Sequence, residues 1–396
     1  MEFFINGKKE VGKIKKKPED FIVEEITKNG EVLKLNQKFE KTDENGDFTV
    51  FVLQKKLWDT YQALLKISKY LNRGKKAFSF AGTKDRRAIT TQLASFYKVE
   101  KEKLLSIKIK DIQINGAWKS KESVKLGELL GNRFEIFVKV QKYNEEYFEE
   151  FKKIYKIPNY FGPQRFGARK NNFDIGIKLL KKDFESAVLE FLCSTKNEKN
   201  NEARKAREKL QKELDFKKAL EYFPKFLRYE RRMLSFLSNN QRDFIGAFRV
   251  LPRSLKLMFI HSVQAQIFNE VLEKKVKDNA LENEKRKCKP NFYGFPDLQS
   301  IDNNGEFPVG NLVGYESVLD SYEEEVLNKY SLSKEDFHLK EFPEISQKGG
   351  TRALVVPVKE FEFKKENEGV KLNFSLPEGS YATILLMQFF EIFNDF

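Results

Sequence analysis

The sequence predicts an α+β protein: a mixed, largely antiparallel sheet with helices packed on it, interrupted by an inserted α/β domain. Three observations carry this expectation. Segments that alternate with period two, such as "PEDFIVEE" and "NRFEIFVKV", stand between segments with helical spacing, such as "DTYQALLKISKYLNRG" and "NEEYFEEFKKIYKIP". The composition shifts after "PNYFGPQRFGARKNN" towards long charged stretches. Strand character then returns at "GVKLNFSLPEGSYATILLMQFFEIF". A chain of 396 residues is in any case too long for one ordinary core. The expected division is 1–156 and 355–396 for the sheet domain and 157–354 for the insertion.

In chain order, "PEDFIVEE" reads as a strand, with Phe21 and Val23 alternating against polar neighbours, and "KTDENGDF" as a tight turn before the strand "FTVFVLQKK". The next segment is a helix with Asp59 or Thr60 as its cap, Tyr61, Leu64, Leu65 and Leu71 on one face, and Gly74 just past its end. "AFSFAG" and "AITTQLASFYKV" are strands joined by a short loop. In "NRFEIFVKV", Phe134, Ile136, Val138 and Val140 face one way and Glu135 and Lys139 the other. A helix carrying Tyr147, Phe148, Phe151, Ile154 and Tyr155 ends before Pro158. Within the insertion, residues 195–218 read as a solvent-exposed charged helix, and residues 260–277 as a core helix. "NNGEFPVGNLVGY" reads as turns between short extended pieces, "KLNFSL" as a strand, "PEG" as a turn and the last apolar segment as a helix.

Lysine plus arginine number 73 against 59 acids, a net charge of +14, which favours a polyanionic partner, nucleic acid ahead of membrane. No stretch approaches the roughly 20 apolar residues that span a bilayer, and "MEFFING" is broken too soon by Lys8 and Lys9 to be a signal peptide. A soluble, cytoplasmic protein is expected, with no membrane and no obligate protein partner. Two cysteines without CxxC spacing and two histidines, His261 and His338, argue against a zinc site or a disulfide framework. With so little imidazole, any catalysis falls to a carboxylate or a lysine.

Three constellations could carry chemistry. In "FAGTKDRRAITTQ", Asp85 stands among Lys84, Arg86 and Arg87; such neighbours favour an ionised carboxylate, fit to be a nucleophile or a base. The plainer alternative is a turn with a local ion pair. In "GNRF", Phe134 is either core or an aromatic face for a base, with Asn132 offering a donor and an acceptor to its edge. In "PNYFGPQRFGARKNN", Tyr160, Phe161 and Phe166 interleave with Arg165, Arg169 and Lys170, a pattern shared by RNA-binding surfaces and packed loops.

These motifs, with "HSVQAQIFN", "FSLPEGSYAT" and "KIKKKPEDFIVEE", occur in the order and approximate spacing of the TruD family of pseudouridine synthases, which the chain resembles from about Lys15 to Thr383. The resemblance implies a pseudouridine synthase-like sheet domain with an inserted TRUD-type domain. It implies an enzyme that cleaves the N1–C1′ bond of a uridine in tRNA, at position 13, and rejoins the uracil through C5, without metal or organic cofactor. By the same resemblance Asp85 is the catalytic residue and Lys15 sits beside it. Phe134 and Asn132 take the flipped uridine. Lys84, Arg86, Arg165, Arg169 and Asn172 are expected to contact RNA. Other structured RNAs are further candidate partners, and the alternative function is a non-catalytic RNA-binding or RNA-chaperone protein that keeps the fold.

Overall fold

The computed structural model describes residues 1–284, 287–288 and 307–393. The chain divides into two compact units, one built mainly from Phe3–Asn159 and Val355–Phe396, the other from Tyr160–Arg286 and Pro308–Leu354. The breaks fall after Asn159 and Leu354, where the sequence reading puts them at 156 and 354. Among the described residues no helix is long and apolar enough to cross a membrane.

The first unit is a mixed sheet. Its strands are β1 (Glu10–Lys13), β2 (Phe21–Thr27), β3 (Phe48–Lys56), β4 (Phe78–Phe80), β5 (Ile89–Tyr97), β6 (Ile112–Ser120) and β7 (Leu129–Lys139), followed by the hairpin Lys359–Glu366/Gly369–Pro377 and the strand Phe390–Phe393. From one edge the order is the hairpin, then β7, β2, β5, β3 and β6. Along this path only the β2–β5 pair is parallel, so the α+β, largely antiparallel architecture is the one observed. β4 pairs with β5, and β1 pairs in parallel with Phe390–Phe393.

Helix α1 (Thr60–Tyr70) starts at Asp59, whose side chain accepts from the Gln62 amide. It lays Ala63, Leu64 and Ile67 on Phe51, Leu53, Ala94 and Phe96 of β3 and β5. Each large apolar side chain buried there contributes about 1.5–3 kcal/mol. The buried stripe differs from the predicted one, since Tyr61 is exposed and the small Ala63 meets the sheet. Asn72, with φ +53°, takes the left-handed position past the helix that the sequence assigns to Gly74. After the short α2 (Lys101–Leu105), α3 (Glu145–Ile154) buries Phe148 and Phe151. The Phe148 ring lies 4.7 Å from that of Phe363 and 4.5 Å from that of Phe389.

The last apolar segment departs from its predicted helix. Only Ala382–Leu386 is helical, and the chain then extends as Phe390–Phe393. A short apolar run fits either state by periodicity. The free edge of β1 decides it by supplying a parallel partner, Glu10 opposite Phe390.

The second unit is mainly helical: α4 (Asn172–Leu180), α5 (Phe184–Cys193), α6 (Asn201–Glu213), α7 (Phe216–Tyr222), α8 (Arg228–Leu237), α9 (Phe244–Arg249), α10 (Arg253–Lys277) and α11 (Ser321–Lys329). An antiparallel pair, Phe307–Leu312 with Gly350–Ala353, adds β structure; the turn predicted at residues 303–305 lies outside the described residues. Helix α10 threads the core with Phe259, Ile260, Val263, Ile267 and Val271. It begins at Arg253 rather than near residue 260 because Pro252, which cannot donate to a preceding turn, marks its start. The charged stretch forms α6 and α7, mostly exposed. Arg207 is the exception, buried against Glu230 at 2.6 Å and Glu198 at 3.4 Å.

Candidate active site

One face of the sheet builds the site. Residues opposite one another on neighbouring strands share a face, so Lys55 of β3, Thr90 of β5, Val23 of β2, Phe134 of β7 and Phe374 of the hairpin form a cross-strand row. The adjoining row includes Glu25, Asn132 and Leu376. Gly131 permits this junction, because a Cβ there would stand 2.1 Å from the Leu376 carbonyl oxygen. The loop from Ala81 to Ala88, between β4 and β5, carries Asp85.

Asp85 Oδ1 accepts from Lys15 Nζ at 3.0 Å. The lysine side chain is 6% exposed and the aspartate 31%, so the pair has a buried end and an open end. Lys15 lies two residues past β1 with φ +58°, a left-handed conformation that costs a non-glycine residue on the order of 1 kcal/mol or more. Its ammonium also sits 4.0 Å from the centroid of the Phe21 ring. Phe21 meets Phe134 edge to face at 6.3 Å, and Phe134 stacks on Phe374 at 5.3 Å. The Phe134 ring is therefore well packed, with 5% of the residue exposed. Asn132, on the same face, has a buried Oδ1 without a hydrogen-bond partner.

The cations of the loop divide. Lys84 turns inward and pairs with Glu25 at 2.7 Å, both side chains buried. Burial pushes the Glu25 carboxyl above its ordinary value, opposed by Lys84 and by the Leu93 amide that donates to it. The same burial effect raises Glu378, again opposed by Lys84. Arg86 and Arg87 are exposed. The loop backbone is held from below: Lys84 N–H donates to Thr60 Oγ1 at 3.0 Å, and Gln92 Nε2 to the Gly82 carbonyl at 2.8 Å.

The remaining candidates lie in the second unit. Arg165 stacks on Phe161 at 5.3 Å, and its buried Nε has no hydrogen-bond partner. Arg169 donates to the Ser194 and Phe191 carbonyls at 2.7 and 3.1 Å, closing the end of α5. Asn172 is buried against Gly167, whose φ of +80° and missing Cβ make room for it, and its Nδ2 has no hydrogen-bond partner. The structure thus brings Lys15 and Asp85 into contact, places Phe134 and Asn132 on one sheet face, and sets Arg165, Arg169 and Asn172 along the segment that leads into α4.

Sequence reasoning missed Lys55, Glu25 and Glu378. For the first two a signal was present. Lys55 is in period-two register with Phe51 and Leu53, and Glu25 with Phe21 and Val23, so each is a charge on a core-facing row. Among the described residues no group of three or more His, Cys, Asp or Glu side chains is placed to hold a metal ion.

The family model described as tRNA pseudouridine synthase D (TruD) matches residues 1–389. Among similar proteins, a probable tRNA pseudouridine synthase D of Methanococcus vannielii is 34% identical, covering 96% of this chain and 95% of the relative. One of Methanosarcina barkeri is 32% identical over 96% and 93%. The crystal structure of the putative tRNA pseudouridine synthase D from Methanosarcina mazei superposes with a TM-score of 0.78 at 31% identity, covering 98% of this chain and 95% of that one. The chain belongs to the tRNA pseudouridine synthase D family.

Proposed function

We propose that the protein is a tRNA pseudouridine synthase, an isomerase that converts uridine 13 of tRNA to pseudouridine in the cytoplasm, with Asp85 acting on the ribose. Family membership supports the reaction. The observation that carries the residue assignment is the Lys15–Asp85 pair, in which a buried ammonium orients one carboxylate oxygen of a half-open aspartate. The reaction breaks N1–C1′, turns the detached uracil in place, joins C5 to C1′ and releases the C5 hydrogen as a proton. The carboxylate either attacks C1′ as the uracil leaves or takes the 2′ proton; both routes start from the anion.

A uridine reaches such a site only when flipped out of its stack. Phe134 then offers the uracil a ring face, and the unpartnered Asn132 Oδ1 offers an acceptor to the uracil N3–H. With so little of Phe134 exposed, base stacking and uncovering of the ring are coupled. Arg86 and Arg165 supply RNA contacts, Arg86 by its exposure and Arg165 through its unpartnered Nε. Lys84, Arg169 and Asn172, more deeply placed, shape the loops that present them.

The test is tritium release from tRNA labelled at uridine C5, followed by mapping of the modified position. Release with pseudouridine at position 13 supports the reading. tRNA binding without release by the wild-type protein would favour the RNA-chaperone alternative.

A further inference from the structure

Lys55 is a buried lysine that the proposed mechanism does not use. It is the penultimate residue of β3, 1% exposed. Its Nζ donates to three backbone carbonyls: Trp58 at 2.8 Å, Asp85 at 3.0 Å and Lys84 at 3.4 Å. An ammonium has three N–H donors and no acceptor, so the three carbonyls match its full donor set. Two of them belong to the residues on either side of the Lys84–Asp85 peptide bond. Lys15 thus holds the Asp85 carboxylate from one side while Lys55 holds its backbone from another.

We propose that Lys55 is a positioning residue for the reaction: its ammonium fixes the Lys84–Asp85 backbone, and through it the direction from which the Asp85 carboxylate meets the ribose. This rests on the reading of Asp85 as the residue that acts on the sugar. Side-chain direction at a loop residue follows from its backbone, and a displacement of about 1 Å at a reacting group can cost on the order of 10²-fold in rate. Two of the three carbonyls come from one loop, so loss of the cation loosens that loop first.

A pH signature follows. Burial pulls the Lys55 ammonium down from the ordinary lysine value to about 8. Asp85 and Asp59 oppose the shift and Lys84 adds to it. From the neighbouring strands Thr90 and Ile112 stand opposite, and neither carries a charge. Above pH 8 a neutral amine has two donors for three carbonyls, and its lone pair faces an oxygen. The rate therefore falls as pH rises through 8. Lys55's contribution to stability moves the other way. Between about pH 8 and the unfolded lysine value the unfolded chain binds the extra proton, so the fold gains stability from this group as pH rises. A rate lost by unfolding and a rate lost by loop release are thereby separable.

The experiment measures single-turnover tritium release at saturating enzyme from pH 6.5 to 10, with tRNA affinity and thermal melting at each pH. For the wild type, the expected result is a rate that falls with a midpoint near pH 8, at unchanged affinity and with the fold intact. Lys55→Arg, whose guanidinium stays charged, loses this alkaline limb. Lys55→Met slows the step at pH 7 on the order of 10²-fold with affinity for tRNA retained. A Lys55→Met rate equal to wild type, a rate loss that tracks melting, or one alkaline limb shared by wild type and Lys55→Arg overturns the proposal. If both variants fail to fold, the wild-type profile decides: a limb near pH 8 in folded protein keeps the proposal, and a rate that holds to pH 10 overturns it. Absence of tritium release from the wild type at every pH would instead overturn the proposed function.

Discussion

The Asp85 loop and the loop running from Tyr160 to Asn172 look alike as sequences, each a short stretch in which cations crowd around glycine. In three dimensions they use those cations differently. Around Asp85, the lysines at 15, 55 and 84 are buried and each faces an acceptor: the Asp85 carboxylate, three backbone carbonyls and Glu25. In the second loop Arg169 faces the carbonyls at the end of α5, while Arg165 rests on an aromatic ring with one donor unpartnered. Cation density in a sequence therefore does not separate a surface that binds an anion from a frame that orients one. The difference lies in which acceptors the fold brings near, and those come from distant parts of the chain.

The largest effect should come from the anion at the centre of the first loop. Asp85→Asn keeps its shape and removes its charge, so turnover should drop on the order of 10³-fold or more while filter binding to tRNA stays at wild-type level. Near-normal tritium release by this variant would break the comparison at its root, leaving two structural loops.

Arg169 tests the other side. Arg169→Ala leaves two carbonyls at the end of α5 without their charged donor, which should cost on the order of 2–3 kcal/mol of stability, read in urea unfolding. Its salt dependence of tRNA binding should match wild type; a flatter slope would make Arg169 a phosphate contact and the two loops more alike than described.

Phe134→Leu separates stacking from core filling, since leucine retains most of the apolar volume. Loss of the aromatic face should weaken the interaction with the flipped base by about 1–3 kcal/mol, seen in the rate more than in tRNA affinity. A variant with wild-type rate would return Phe134 to a purely core role, consistent with its stack on Phe374.

The smallest effect is expected from Arg86, which is exposed, and Arg165, which is half-buried with one donor unpartnered. Arg86→Ala and Arg165→Ala should each reduce the slope of log affinity against log salt by about one, with the melting temperature of Arg86→Ala within the error of a surface change. Unchanged slopes in both would move the RNA-binding role to other cations.

The strands were legible from their own segments, by alternation in β2 and β7 and as short extended runs in β3 and β5. β2, β3, β5 and β7 follow from their own residues, and so does the placement of Asp85 in a loop between two strands. What was hidden depended on partners remote in sequence. Phe390–Phe393 is a strand because β1 offers an edge. Lys15 and Asp85 are 70 positions apart and meet only through the sheet. Lys55 and Glu25 show a subtler limit: their register put each on a buried row, but a charged residue in a strand is ordinarily assigned to solvent, and only the loop above them explains their burial.

The parallel pairing of Glu10–Lys13 with Phe390–Phe393 bears on how the enzyme is made. Lys15 follows directly from β1, and the rings of Phe389 and Phe390 lie against Phe148 of α3. During synthesis the N-terminal strand leaves the ribosome first; Lys13 can meet Lys139 of β7 early, but the parallel ladder along Glu10–Lys13 waits until residues near 390 emerge. The inserted unit, nearly continuous in sequence, can close on its own core in the meantime. The parallel ladder that ends two residues before Lys15 is therefore among the last parts of the sheet to form, so a growing chain carries the Asp85 loop for most of its synthesis before that ladder closes.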